Sequence, residues 1–297
     1  EETTGRGAKM IAETLEKRGI RFEMLFDEGG MILYEPVGGV KGTFAMVGMG
    51  EKGNCIIRFI ARSAGGHAST PGKNTPLVRL GAFMAEVDRK CPFKSEISPV
   101  IKEMFKRFAP YLGAAGFVTG HAETFEGLLK AVIPGLSPAA GAMLRTTLAF
   151  TMAQASEGRN VLPQTAWVVG DMRFSHHQGE KASLMALKPI ADKYGIEIKI
   201  IEHGIDSGLA DYDSEGFRLI EKAVKNVYPD VDAAVPYVMT GASDSRFFGR
   251  ICKNCFRFVP FKIDKQQLDS VHGLNENIDI DTLVPAVDYY KYMMREV

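Results

Sequence analysis

Two glutamates, Glu1-Glu2, open the chain, and a histidine lies near its far end in the run Asp269-Ser270-Val271-His272-Gly273-Leu274-Asn275-Glu276. Side chains of these types can together activate water on a divalent metal: one carboxylate takes the proton, its neighbour holds the ion, and an imidazole offers the nitrogen that zinc accepts readily. Adjacent carboxylates can divide those roles because successive residues leaving a strand or turn point in different directions. Between the two ends lies Gly65-Gly66-His67-Ala68-Ser69-Thr70-Pro71, a second histidine in a glycine-rich turn. Taken singly, a Glu-Glu pair reads as solvated surface and a loop histidine as structural; their co-occurrence makes the chemical reading worth following.

The elements that must position these groups follow from the apolar spacing. Ala8, Ile11, Ala12 and Leu15 recur at helical intervals and Gly19 stands where a helix would stop. Ile20 to Phe26 is strand-like and runs into Asp27-Glu28-Gly29-Gly30, which places a carboxylate at a strand's C-terminal end, where α/β sheets hold their ligands. Shorter strands are expected near 31–34 and 43–47. Cys55, Ile57 and Phe59 alternate over a further strand. Asn74 is expected to cap a helix with Pro76 in its first turn. A helical segment follows at about 99–136, then strands near 146–153 and 165–174, a helix over 179–193 and a strand at 196–201. That order, β, α, β, β, α, β, is the split ferredoxin-like unit. From Asp213 an amphipathic helix carrying Phe217, Ile220, Val224 and Val227 leads to a strand at 236–239, then Gly241-Ala242-Ser243-Asp244-Ser245-Arg246, a strand from Phe256, the His272 loop and a closing helix. The expected fold class is α/β, with one domain in two pieces, 1–50 and 206–297, interrupted by a smaller α+β domain over 51–205.

Thirty-six basic and 36 acidic side chains give a formal net charge of zero. Neither nucleic-acid binding nor a polybasic membrane contact is expected, and the substrate should be small or peptidic. No apolar run reaches the ~18 residues of a membrane span, and the expected location is the cytoplasm. Cys252-Lys253-Asn254-Cys255 reads as two structural thiols beside a strand. His176-His177 reads as a solvated loop, since adjacent imidazoles on extended chain face opposite sides. There is no phosphate-binding glycine loop and no G-x-S-x-G elbow.

Six motifs, in order, resemble the aminoacylase and glutamate-carboxypeptidase family of co-catalytic zinc amidohydrolases, most closely its Gly-X carboxypeptidase and N-acyl-amino-acid hydrolase branch. They are Glu1-Glu2-Thr3-Thr4-Gly5-Arg6-Gly7-Ala8, Phe26-Asp27-Glu28-Gly29-Gly30, the His67 turn, Asn160-Val161-Leu162-Pro163, Gly170-Asp171-Met172-Arg173 and Val271-His272-Gly273. The resemblance implies a three-layer zinc-peptidase domain with an inserted ferredoxin-like lid and dimerisation domain. It implies two Zn2+ ions, with Glu1 as general base, Glu2 and His272 as ligands of one ion, and Asp27, or alternatively Glu28, as ligand of the other. His67 would be lent by one subunit of a homodimer to its partner's site to stabilise the oxyanion. Arg173 would grip the substrate carboxylate, with Asn160 and Gly241 beside it. The implied reaction is cleavage of a peptide or N-acyl amide bond to a C-terminal amino acid.

Complete members of that family carry a further His ligand and a bridging Asp upstream of the Glu pair. Without them Glu2 and His272 make two ligands for one ion and Asp27 one for the other, whereas catalytic zinc takes three protein ligands and an open position. The chain by itself is therefore expected to bind zinc poorly and to be inactive, and the alternative function is that of a non-catalytic binding or dimerisation protein.

Overall fold

The computed structural model describes residues 6–136 and 138–297, so Glu1 and Glu2 lie outside the described residues. The chain divides into two compact units. The first comprises Glu1–Lys52, Ile97–Met143 and Ser207–Val297, the second Gly53–Glu96 and Leu144–Asp206.

The first unit is built on a four-stranded mixed sheet. Strand Phe22–Tyr34 runs parallel to Cys252–Ile263, which meets Thr43–Glu51 antiparallel, and Thr43–Glu51 runs parallel to Ala233–Met239. The sequence reading breaks the first of these at a turn over Asp27-Glu28-Gly29-Gly30. The chain instead continues through it as one strand of 13 residues with register shifts at 27–32, so Asp27 sits within the strand and not at its end. Glycine makes this possible. A Cβ on Gly30 would lie 1.9 Å from the Met46 carbonyl oxygen, and Gly29 has φ of 141°. The backbone therefore bends against its neighbour where any larger residue would hold it off. Beyond the bend, Ile32, Leu33 and Tyr34 pair antiparallel with Ala45, Phe44 and Thr43.

Helix Glu215–Val227 begins at Ser214, whose side chain accepts from the Phe217 amide, and it buries Phe217, Ile220, Ala223 and Val224. Helix Leu283–Glu296 buries Ala286, Tyr289 and Met293. Phe256, Phe258 and Phe217 are fully buried, and Tyr289 meets Phe258 edge to face. The helix expected at the start of the chain spans Arg6–Lys17, but only Ala12 of its apolar stripe is buried and Ile11 is exposed.

One boundary differs from the sequence reading. Segment 97–143, placed by pattern inside the 51–205 insertion, packs in the first unit. Helix Pro99–Phe108 buries Val100, Ile101, Met104 and Phe108, and the Phe108 and Tyr111 rings stand edge-on to Phe44 at 5.1 and 4.9 Å. Arg107 pairs with Glu221 and donates to the Ala234 carbonyl at 2.8 Å, which ties the segment to strand Ala233–Met239.

The second unit has the expected strand and helix order. Its sheet runs Thr147–Gln154, Thr165–Phe174, Gly53–Arg62, Glu197–Glu202, every neighbouring pair antiparallel. Helices Pro76–Lys90 and Gly179–Lys193 connect them. Phe59, Phe83, Val168, Met172 and Leu187 lie in one core. The first helix is capped one residue later than expected, at Thr75, while Asn74 takes a left-handed φ of 57°. Within that core's rim, the buried Glu86 carboxylate meets Lys193 Nζ and Tyr194 Oη, each at 2.6 Å, and Lys90 Nζ at 2.6 Å.

The Lys193 hydrogen bond, then those of Lys90 and Tyr194, hold the Glu86 carboxyl down at about 2 against an ordinary value of 4.5. A depressed carboxyl contributes stability that is complete above its unfolded value and disappears as pH falls through its folded one. Urea midpoints of the parent and of Glu86→Gln are therefore expected to differ most above pH 4.5 and to converge towards pH 2. A gap that does not close in acid would contradict the assignment.

Candidate functional site

Of the predicted site residues, Asp27, Gly241 and His272 belong to the first unit, and His67, Asn160 and Arg173 to the second. Asp27 is half-buried. Its Oδ1 accepts the Glu28 amide at 3.0 Å and its Oδ2 the Ser245 amide at 2.5 Å. Burial pushes this carboxyl up, but hydrogen bonding with the Glu28 side chain and the Ser245 and Glu28 amides, then with Ser243, outweighs it and leaves the group below the usual value. Asp27 is thus an anion held in a fixed orientation, the state a metal-ligating carboxylate requires.

His272 follows a short helix, Lys265–Ser270, that starts with a reciprocal cap between Asp264 and Gln267. The chain then turns so sharply that His272 adopts a φ of 59°, its amide donating to Glu276 Oε2 at 3.3 Å and its ring exposed. A non-glycine residue in that region is uncommon and marks a conformation imposed by its surroundings. Gly241 is exposed, and a Cβ there would meet nothing within 4 Å, so packing does not demand a glycine.

In the second unit the turns carrying His67 and Asn160 form one small ribbon. Gly66 pairs with Leu162 and His67 with Val161, and the Ala68 amide donates to the Asn160 carbonyl at 2.9 Å. The Ser69 amide donates to His67 Nδ1 at 3.1 Å, with Ser69 Oγ 2.7 Å from the same nitrogen. An amide can only donate, so Nδ1 accepts, and the neutral ring carries its proton on Nε2. The exposed imidazole is therefore set up as a hydrogen-bond donor. Arg173 lies two residues from Asp171 on one face of strand Thr165–Phe174, and its Nε and Nη2 donate to the two Asp171 oxygens at 2.9 and 3.2 Å. That fork fixes the guanidinium plane and leaves the edge formed by its two terminal nitrogens for a second carboxylate.

Behind Asp27 lies a buried polar chain that sequence reasoning missed. Glu51 closes strand Thr43–Glu51, and its Oε2 accepts from the Ser243 amide at 2.9 Å, Ser243 Oγ at 2.6 Å and Arg257 Nε at 3.2 Å. Ser243 Oγ lies 2.6 Å from Ser245 Oγ. Arg257 is the register partner of both Asp27 and Gly48, and a Cβ on Gly48 or Gly29 would come 2.9 Å from its own Cβ. The two glycines open the channel that its side chain occupies. The available signal was the polar run 241–246, read only for its glycine.

Cys252 and Cys255 are free and buried, as the structural reading has them. His176 is not solvated as expected: its ring is largely covered and pairs with Asp206 at 2.8 Å, whereas His177 is exposed.

Among the described residues no three His, Cys, Asp or Glu side chains are grouped to hold an ion. An ionised, oriented carboxylate at Asp27 and an imidazole at His272 nevertheless fit a zinc site in kind, and Glu2, the expected third donor, lies outside the described residues. No helix among the described residues is long and apolar enough to cross a membrane.

Known proteins place these features in a family. The human N-fatty-acyl-amino acid synthase/hydrolase PM20D1 is 26% identical over 295 residues, covering 97% of this chain and 58% of that protein. A probable carboxypeptidase S-like 2 of Dictyostelium discoideum is 26% identical over 284 residues, covering 92% of this chain and 53% of its own length. The chain thus spans somewhat more than half of the curated relatives it matches. In fold it is similar to the M20 family metallo-carboxypeptidase Sso-CP2 of Sulfolobus solfataricus, with a TM-score of 0.60 at 16% identity over 96% of this chain and 66% of that one. It is also similar to the di-peptidase Dug1p of Saccharomyces cerevisiae, with a TM-score of 0.58 at 14% identity over 96% and 62%. The family model for peptidase family M20/M25/M40 matches residues 1–296, and the chain belongs to that family.

Proposed function

We propose that this chain forms part of a zinc-dependent amidohydrolase that cleaves a peptide or N-acyl amide bond to a C-terminal amino acid. The observation that carries this reading is Asp27, an ionised carboxylate clamped by two backbone amides at the position the family motif assigns to a ligand. The printed names of the relatives, an N-fatty-acyl-amino acid synthase/hydrolase and a probable carboxypeptidase, support amide cleavage next to an amino acid.

Glu2, Asp27 and His272 would hold the metal, two ions in a complete site. When bound, zinc polarises the attacking water and the scissile carbonyl. Glu1 would take the proton from that water and return it to the leaving amine. Arg173, its plane set by Asp171, would pair with the substrate carboxylate, with Asn160 and Gly241 lining the same region. His67 would donate its Nε2–H to the developing oxyanion of a partner subunit's substrate, the second unit acting as lid and dimerisation domain in a cytoplasmic homodimer.

The test combines zinc content of the full-length protein with a substrate panel of N-acyl amino acids and dipeptides, each compared with its C-terminal amide. Cleavage confined to free carboxylates is expected, and His272→Ala should lose metal and activity together. Undiminished turnover after metal removal, or equal cleavage of the amides, would overturn the proposal. Neither zinc nor turnover would leave a binding or dimerisation protein.

A further inference from the structure

Four polar side chains, Glu51, Ser243, Ser245 and Arg257, lie almost wholly out of solvent, at 2, 3, 1 and 1% exposure. Desolvating a carboxylate and a guanidinium is costly, and well-packed apolar groups of similar size often serve stability as well or better. The contacts run in one direction. Arg257 holds Glu51, Glu51 takes both the amide and the hydroxyl of Ser243, Ser243 Oγ meets Ser245 Oγ, and the Ser245 amide points at Asp27 Oδ2. Arg257 is fixed in turn by donating to the Cys255 carbonyl at 2.8 Å. The turn at 243–245 leads into a 3-10 helix over Asp244–Phe247, where the Phe248 amide donates to the Ser245 carbonyl at 3.0 Å, and Glu51 holds its Ser243 end. Asp27 is the only member of the chain that is not fully buried.

We propose that Ser243, anchored by the Glu51–Arg257 pair, is a positioning residue that aims the Ser245 amide at Asp27 and so fixes the carboxylate for metal binding. This rests on the reading of Asp27 as a ligand. Groups that orient ligating carboxylates typically change metal affinity by about 10- to 100-fold when removed.

The experiment uses the full-length protein and zinc alone, with affinity read by competition against a chromophoric chelator and Ser245 amide exchange read by hydrogen–deuterium NMR. Ser243→Ala is expected to weaken zinc by about 10- to 100-fold and to speed exchange at Ser245, while Ser243→Thr, which keeps the hydroxyl, restores both. A purely structural role predicts lower stability with unchanged zinc affinity of the folded protein, and that result, with unchanged Ser245 exchange, overturns the inference. If the parent binds no zinc yet Ser243→Ala speeds Ser245 exchange, the ligand reading of Asp27 falls, whereas the hold of Ser243 on the turn stands.

Discussion

Arg257→Ala is expected to lower the unfolding free energy by about 3–5 kcal/mol, the usual cost of removing one partner of a buried ion pair. Both side chains are almost fully buried, and the alanine would strand the Glu51 carboxylate with only the Ser243 donors. It would also empty the channel that Gly29 and Gly48 keep open beside the Arg257 side chain. The loss has a pH signature. Burial already pushes the Glu51 carboxyl above its ordinary value, opposed chiefly by Arg257. Without that cation it rises further, so the variant is penalised least in acid, where the group is neutral, and progressively more as pH rises through the folded value. Replacing both partners, as Glu51→Gln with Arg257→Met, should cost less than Arg257→Ala alone, because no charge is then left unpaired. Urea unfolding across pH 4 to 8 measures all three, and a loss for Arg257→Ala of under about 1 kcal/mol would mean that the pair is effectively solvated.

The parts legible in the sequence are those whose signal is local. Pro76, the alternation of Cys55, Ile57 and Phe59, and the apolar stretch Ala166-Trp167-Val168-Val169 each reveal an element through its own neighbours, and the second unit's sheet appears where expected. The motif singles out Asp27, but the local pattern misplaces it at a turn. Asp-Glu-Gly-Gly has the composition of a turn, and only the neighbouring strands, with the Met46 carbonyl against Gly30, show that the glycines serve close approach within a continuous strand. Segment 97–143 shows the same limit. Its apolar spacing announces helices, but a periodic stripe does not say which sheet it will face; that depends on Phe44 and Glu221, far away in sequence. The Glu51–Ser243–Arg257 chain shows in the sequence only as the polar run 241–246, for a related reason. Glu51 looks like a polar residue at the end of a strand, and only folding brings it to Ser243 and Arg257, 192 and 206 residues further along.

His67→Ala is expected to reduce kcat by about 100- to 1,000-fold in the full-length protein, the range seen when one oxyanion donor is removed, while zinc content stays unchanged. The direction follows from the ring's tautomer. Because Nδ1 is committed as acceptor of the Ser69 amide, only Nε2 can present a proton, and a ring so oriented donates without first reorganising. Ser69→Ala keeps the amide and should cost far less than His67→Ala, whereas Ser69→Pro removes that amide donor and should approach it. If each site borrows its histidine from the other subunit, mixing His67→Ala chains with Glu1→Gln chains should restore activity, because each mixed dimer assembles one site with both groups intact. A mixture as inactive as its parents, with mixed dimers present, would place His67 and Glu1 in the service of the same subunit and sink the shared site, whereas recovery towards one intact site per mixed dimer could not arise in any other arrangement of these two residues.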